Sequence, residues 1–175
     1  FILNGVVFIV LLFFTNHWKR LVPVSWKIIP DSWNVFVHYA TFNLPVEPNG
    51  FYHFNALQQI SYFGVVFILA PLAMLTGLAM SPAMENRFHW YPKLFGNRQS
   101  ARSIHFLVMI AYVIFIIIHV GMIAATGLVR NMNHIVMATD STTSYAGLYI
   151  CIGIILATTV FCFLAHWLSW NKQRL

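Results

Sequence analysis

Two histidines, His105 and His119, lie fourteen residues apart in one apolar run at residues 104–128. On a helix, fourteen steps of about 100° bring the second imidazole to within about 40° of the first. The two rings then share a face and stand about 21 Å apart along the axis, one toward each edge of a bilayer. His119 is set among Ile116, Ile117, Ile118 and Val120. An imidazole there needs a partner, because an unsatisfied polar group in hydrocarbon is costly. Two co-facial histidines at this separation suit two haems stacked across a membrane, each low-spin b-type iron taking a neutral imidazole on both sides.

Each of these histidines needs a second imidazole at its own depth. His53 precedes the apolar run at 56–80, on the side where run 104–128 ends. We pair it with His119. Position 67 is the natural place for a second ligand from run 56–80, and it is Phe67. The partner of His105 is therefore expected elsewhere: first in a histidine upstream of Phe1, second in His166. A helix-terminal histidine at the interface would account for His105 alone, but the spacing and the matching His53 favour the metal. Arg98 and Arg102 precede His105 and are candidates to bind haem propionates through their guanidinium forks. Arg102, one turn away, is the better placed; cytoplasmic loop charge also accounts for Arg98. Gly64 and Gly121 could leave room for a flat cofactor against the backbone, and ordinary small-residue helix packing explains them equally well. Gln58 and Gln59 could face a haem edge, a loop, a quinone or water. His17, His38, His89 and His134 fall in loops and receive no role.

The elements that must position these side chains follow from the composition. Of 175 residues, 59% are hydrophobic, 17% aromatic and 8% charged, against about 25% charged in soluble domains. This excludes a soluble monomer and a disordered chain. The expected fold is all-α: an integral membrane four-helix bundle forming a single domain over residues 1–175. Helices are expected at about 1–15, 56–80, 104–128 and 146–167, with an interfacial segment at 16–54. That segment is rich in Trp and Tyr and is expected to hold short helices in the headgroup zone. A span needs about 20 residues, so run 1–15 reads as a helix truncated at its N-terminus. A cleaved signal peptide is the competing reading, but no charged n-region or cleavage site is visible. Pro71 inside run 56–80 should kink it. Cys151 and Cys162 lie on one helix and cannot pair with each other.

Ten Lys and Arg against four acids read as topology rather than nucleic-acid binding. The loop at 81–103 and the C-terminal tail carry six of the ten, and the side holding 16–54 and 129–145 carries four. This bias places 81–103 in the cytoplasm and 16–54 in the periplasm. No acid falls within a span, which argues against an ion-coupled transporter or a proton pump.

With these residues in place, the chain resembles the bacterial four-helix cytochrome b subunits that anchor hydrogenases, formate dehydrogenases and thiosulfate-reductase-type molybdoenzymes. The carrying stretches are FNALQQISYFGVVFILAPLAMLTGLAMSPA at 54–83 and RQSARSIHFLVMIAYVIFIIIHVGMI at 98–123. The opening FILNGVVF also fits that family's first helix. The resemblance implies two b haems with bis-His ligation, with His53, His105 and His119 as ligands. It further implies electron transfer between a quinone pool and a partner redox subunit of iron-sulfur, molybdopterin or cytochrome c type, in the bacterial inner membrane. The family's first-helix histidine has no counterpart here. The primary expectation is thus a di-haem cytochrome b subunit with no bond-making site of its own. The alternative is a haem-free membrane anchor or assembly subunit, which has no need of the co-facial His105 and His119.

Overall fold

A computed structural model describes residues 2–43 and 53–172. Pro45, Glu47, Pro48 and Arg174 lie outside the described residues. The chain is all-α, as expected. Helix α1 is Ile2–Phe14, α2 Trp18–Leu21, α3 Ile28–Ala40 and α4 Ala56–Phe63. A π-helical segment, Gly64–Leu69, joins α4 to α5, Ala70–Met80. Then come α6, Pro82–Arg87, a 3₁₀ turn at Pro92–Phe95, α7 at Arg98–Ala125, α8 at Leu128–Met137 and α9 at Ala146–Lys172. Among the described residues, three stretches are long and apolar enough to cross a membrane: Ala56–Met80, Arg98–Ala125 and Ala146–Trp170. Helix α1 is apolar but shorter.

The residues group into two compact units, Phe1–Ile118 and His119–Leu175. In the first, α1 packs on the α4–α5 span. The ring of Phe13 meets Phe67 edge-on at 6.3 Å, and Gly5 brings the α1 backbone near the Met74 sulfur. Leu12, Leu21, Ala79, Ala101 and Val108 are buried. Small residues such as Ala79 and Ala101, both fully buried, let helix backbones approach in a membrane, where van der Waals packing replaces the hydrophobic effect between helices. In the second unit Met132 and Asn133 are buried. The side chains of α9 from Ile152 to Trp170 lie exposed, as suits a helix whose solvent is hydrocarbon.

The disturbance expected at Pro71 takes a particular form. Proline has no N–H to give, and its ring crowds the carbonyl four residues back. The helix widens just before it: the Ala70 N–H donates to Val65 O, five residues back. Such π segments recur at functional sites.

Three boundaries differ from the sequence expectation: α9 runs on to Lys172 rather than ending at 167, and both ends of α7 shift. The helix expected at 104–128 starts six residues earlier, at Arg98. The Asn97 side chain accepts from the Ser100 N–H at 2.8 Å, which satisfies an orphan donor and starts the helix within the basic loop. At the other end, α7 stops at Ala125. Gly127 takes a φ of +119°, a backbone only glycine adopts without strain, and Leu128 opens α8 instead. The segment expected to be a loop at 129–145 is thus largely helical. α8 has its own tertiary anchor, which the polar composition did not reveal. Between Asn16 and Asn43 lie the short helices α2 and α3, and α3 exposes Ile29, Trp33, Phe36 and Val37.

Candidate functional site

His105 lies two turns into α7. Its imidazole rests against α5, where a Cβ built on Gly77 would stand 3.5 Å from His105 Cε1. Gly77 is followed backward by Thr76, which is fully buried. Thr76 Oγ1 stands 2.9 Å from His105 Nδ1 and donates to the carbonyl oxygen of Leu72 at 2.6 Å. Thr76 and Gly77 are thus the surface on which the His105 ring is set. Sequence reading did not single out Thr76. The available signal was a hydroxyl in the apolar run at the same membrane depth as His105.

Arg102 lies on α7 one turn before His105 and is exposed. Arg98, at the start of the same helix, is engaged. Its Nε donates to Met80 O at 3.0 Å, and its Nη1 meets Glu85 at 3.3 Å. It therefore closes the C-terminus of α5, where backbone carbonyls lack helical partners.

His119 sits on the same unbroken helix as His105. It is the first residue of the second unit and is partly buried. His53 is exposed, in the irregular stretch before α4. His166 is exposed on α9, its ring 6.3 Å from that of Trp170. Among the described residues, a Cβ at Gly64 or Gly121 would meet nothing within 4 Å. Both positions thus border open space.

The two glutamines have structural partners. Asn55 and Gln58 form a reciprocal capping box at the start of α4: the Gln58 N–H donates to Asn55 Oδ1, and the Asn55 N–H to Gln58 Oε1. Gln59 Nε2 donates to Arg20 O at 3.1 Å and to Val22 O at 3.3 Å. It fastens the end of α2 to α4. Both belong to the loop alternative of the four the sequence left open.

His17 lies in a turn and contacts Thr15, whereas His38 is not in a loop as expected but in the last turn of α3, where it contacts Asn43. His134 is not a loop histidine. It lies on α8 with its side chain 14% exposed and its Nε2 2.6 Å from Asp140 Oδ1. Arg130, one turn earlier on the same face, holds both oxygens of Asp140, through Nε at 2.6 Å and Nη2 at 3.0 Å. The i, i+4 spacing of Arg130 and His134 was the sequence signal for this cluster.

Among the described residues no three His, Cys, Asp or Glu side chains converge on one point. The candidate donors are separate imidazoles. Such a set fits a metal that brings its own equatorial donors, as haem iron does, and takes only axial nitrogens from protein. A buried hydroxyl against His105 Nδ1 accords with this, since metal-ligating histidines commonly bind their other ring nitrogen to a nearby polar group.

A family model described as prokaryotic cytochrome b561 matches residues 2–140. The chain is also 28% identical, over 127 residues, to a chain from Azospira oryzae named as a protein-methionine-sulfoxide reductase subunit. That match covers 69% of this chain and 58% of the relative, so the chain spans little more than half the length of the relative it matches. None of the solved structures matches it. The chain belongs to the prokaryotic cytochrome b561 family.

Proposed function

We propose that this member of the prokaryotic cytochrome b561 family is a di-haem subunit that carries electrons between the quinone pool and a partner redox subunit. The observation that carries the reading is the pair His105 and His119 on one unbroken helix, α7, with the first ring seated against Thr76 and Gly77. The order of the spans pairs His53 with His119, and His166 stands in reserve as a further ligand. Bound haem supplies a one-electron iron couple. His105 and His119, with His53, would hold the haem iron at two depths, and the chain around them would exclude water and balance the propionates. Arg102 is the residue proposed for that balance, and Arg98 acts on it indirectly by fixing the start of α7. Gly64 and Gly121 are each proposed to leave room for a flat macrocycle, since a Cβ at either would meet nothing within 4 Å among the described residues.

The partner is an oxidoreductase subunit of iron-sulfur, molybdopterin or cytochrome c type. The name of the Azospira relative, a reductase subunit, supports this class of partner. Residues 16–54 face the periplasm of a bacterial inner membrane and form the docking side. The support is the charge bias of the loops and the aromatic exposure of α3, with Trp33 stacked on Phe36 at 5.4 Å.

A pyridine haemochrome assay on the purified chain tests the count. Two haem b per chain are expected, and His105→Ala and His119→Ala should each remove about half. One haem per chain, or none, sinks the di-haem reading.

A further inference from the structure

We propose that Thr76 is the positioning residue of His105: it locks the imidazole in the Nδ1–H tautomer and so presents Nε2 as the ligating nitrogen. This rests on the reading of His105 as a haem ligand. The argument is a proton count. A threonine hydroxyl has one proton to donate, and a carbonyl oxygen has none. Thr76 Oγ1 lies 2.6 Å from Leu72 O and 3.3 Å from Ala73 O, two acceptors that direct the Thr76 proton to the backbone of its own helix, the nearer one taking it. The same oxygen lies 2.9 Å from His105 Nδ1. With the hydroxyl proton committed, that second contact is a hydrogen bond only if Nδ1 carries the hydrogen. A neutral imidazole has a single N–H, so the lone pair is on Nε2. Thr76 is 0% exposed, which leaves its hydroxyl no water to turn to.

The backbone prepares the contact. Gly77 presents no side chain where the His105 ring lies, 3.5 Å from where a Cβ would be. Leu72 O belongs to the turn just after the π segment and Pro71, so the acceptor that orients the hydroxyl sits beside the disturbed stretch of the span. The chain Nδ1–H to Oγ1 to Leu72 O is thus a relay of two hydrogen bonds across α7 and α5. A ring nitrogen that donates a hydrogen bond makes the opposite nitrogen more basic and fixes the plane of the ring. A more basic axial nitrogen favours the ferric over the ferrous state and lowers the midpoint potential.

The experiment compares Thr76→Val, Thr76→Ser and His105→Ala in the full chain, purified in detergent with its haem. Three quantities are read: haem content, the low-spin absorption spectrum and the midpoint potentials by redox titration. His105→Ala should lose the component that His105 ligates. Thr76→Val should raise the potential of that same component by about 59 mV, a tenfold change in the ferric-to-ferrous preference, or release its haem. Thr76→Ser, which keeps the hydroxyl, should restore the native potential and loading. If Thr76→Val does not accumulate in membranes, Thr76→Ala takes its place in the same comparison. Native potential, spectrum and loading in the hydroxyl-free variant overturn the role of Thr76 while leaving His105 a ligand, provided His105→Ala still loses haem. Serine behaving like valine overturns it too, since the methyl and not the hydroxyl then matters. An unchanged His105→Ala removes the ligand reading and the inference together.

Discussion

Arg98 donates from Nε to the carbonyl oxygen of Met80 at 3.0 Å, across eighteen residues of sequence. The bond joins the first residue of α7 to the last residue of α5. These two helices carry His105 and Thr76, so it fixes the register in which the imidazole meets the hydroxyl. Arg98→Leu should lower stability by about 1 kcal/mol, the usual worth of one hydrogen bond. Glu85→Ala removes only the half-exposed ion pair and should cost less than about 0.5 kcal/mol. Thermal unfolding in detergent ranks the two, and equal losses would count against the bond to Met80.

Asn133 organises the second unit. It is 1% exposed, donates to Ser141 O at 2.8 Å and Ser144 O at 2.7 Å, and accepts from the Gly147 N–H at 3.0 Å. Asn133→Ala strips three partners at once and should cost about 2–3 kcal/mol, because buried polar groups left unpaired carry their desolvation cost. Chemical denaturation of the variant checks this, with a loss below half that figure counting against it.

Gly147 should not tolerate a side chain. A Cβ there would stand 2.8 Å from the backbone nitrogen of Asn133, and backbone cannot swing aside as a flexible side chain can. Gly147→Ala should destabilise by about 1–3 kcal/mol, the range for overpacking. Gly121→Ala, whose Cβ would meet nothing within 4 Å among the described residues, should leave stability unchanged. The contrast is read in one pair of melting curves.

The start of α4 depends on Asn55. It is buried, caps the helix reciprocally with Gln58, and donates through Nδ2 to Tyr39 Oη at 2.8 Å. Asn55→Ala should cost about 1–2 kcal/mol. Tyr39→Phe should cost less, since the cap survives. Hydrogen exchange at the first turn of α4 should rise in the alanine variant and stay native in the phenylalanine one.

Asp140 is shared by Arg130 and His134. Asp140→Asn removes the charge shared by both and turns one of the two oxygens held by Arg130 into a donor, and should destabilise α8 by about 1–2 kcal/mol, as charge-assisted bonds are the stronger ones. Replacing His134 by Phe leaves the bidentate Arg130 pair in place and should cost less. A double-mutant cycle over Asp140 and His134 measures the difference; zero coupling would show that the 2.6 Å contact contributes nothing.

The spans were legible in the sequence because hydropathy is a sum over neighbours in the chain. So was the axial placement of His105 and His119, which the pitch of one helix sets without reference to anything else. The disturbance at Pro71 was legible for the same local reason: a missing N–H is a property of the residue. Its form, a π-helical widening over Gly64–Leu69, depends on the carbonyls around it. Tertiary structure alone decided who meets whom. Thr76 and His105 are 29 residues apart, Gln59 and Arg20 are 39, and Arg98 and Met80 are 18. No periodicity encodes such pairs, because a hydrogen bond depends on atoms brought within about 3 Å by the packing of separate helices. The hydropathy pattern specified a membrane protein, and the pitch of one helix set the spacing of His105 and His119. The packing of α7 on α5 decided that His105 Nδ1 meets the Thr76 hydroxyl.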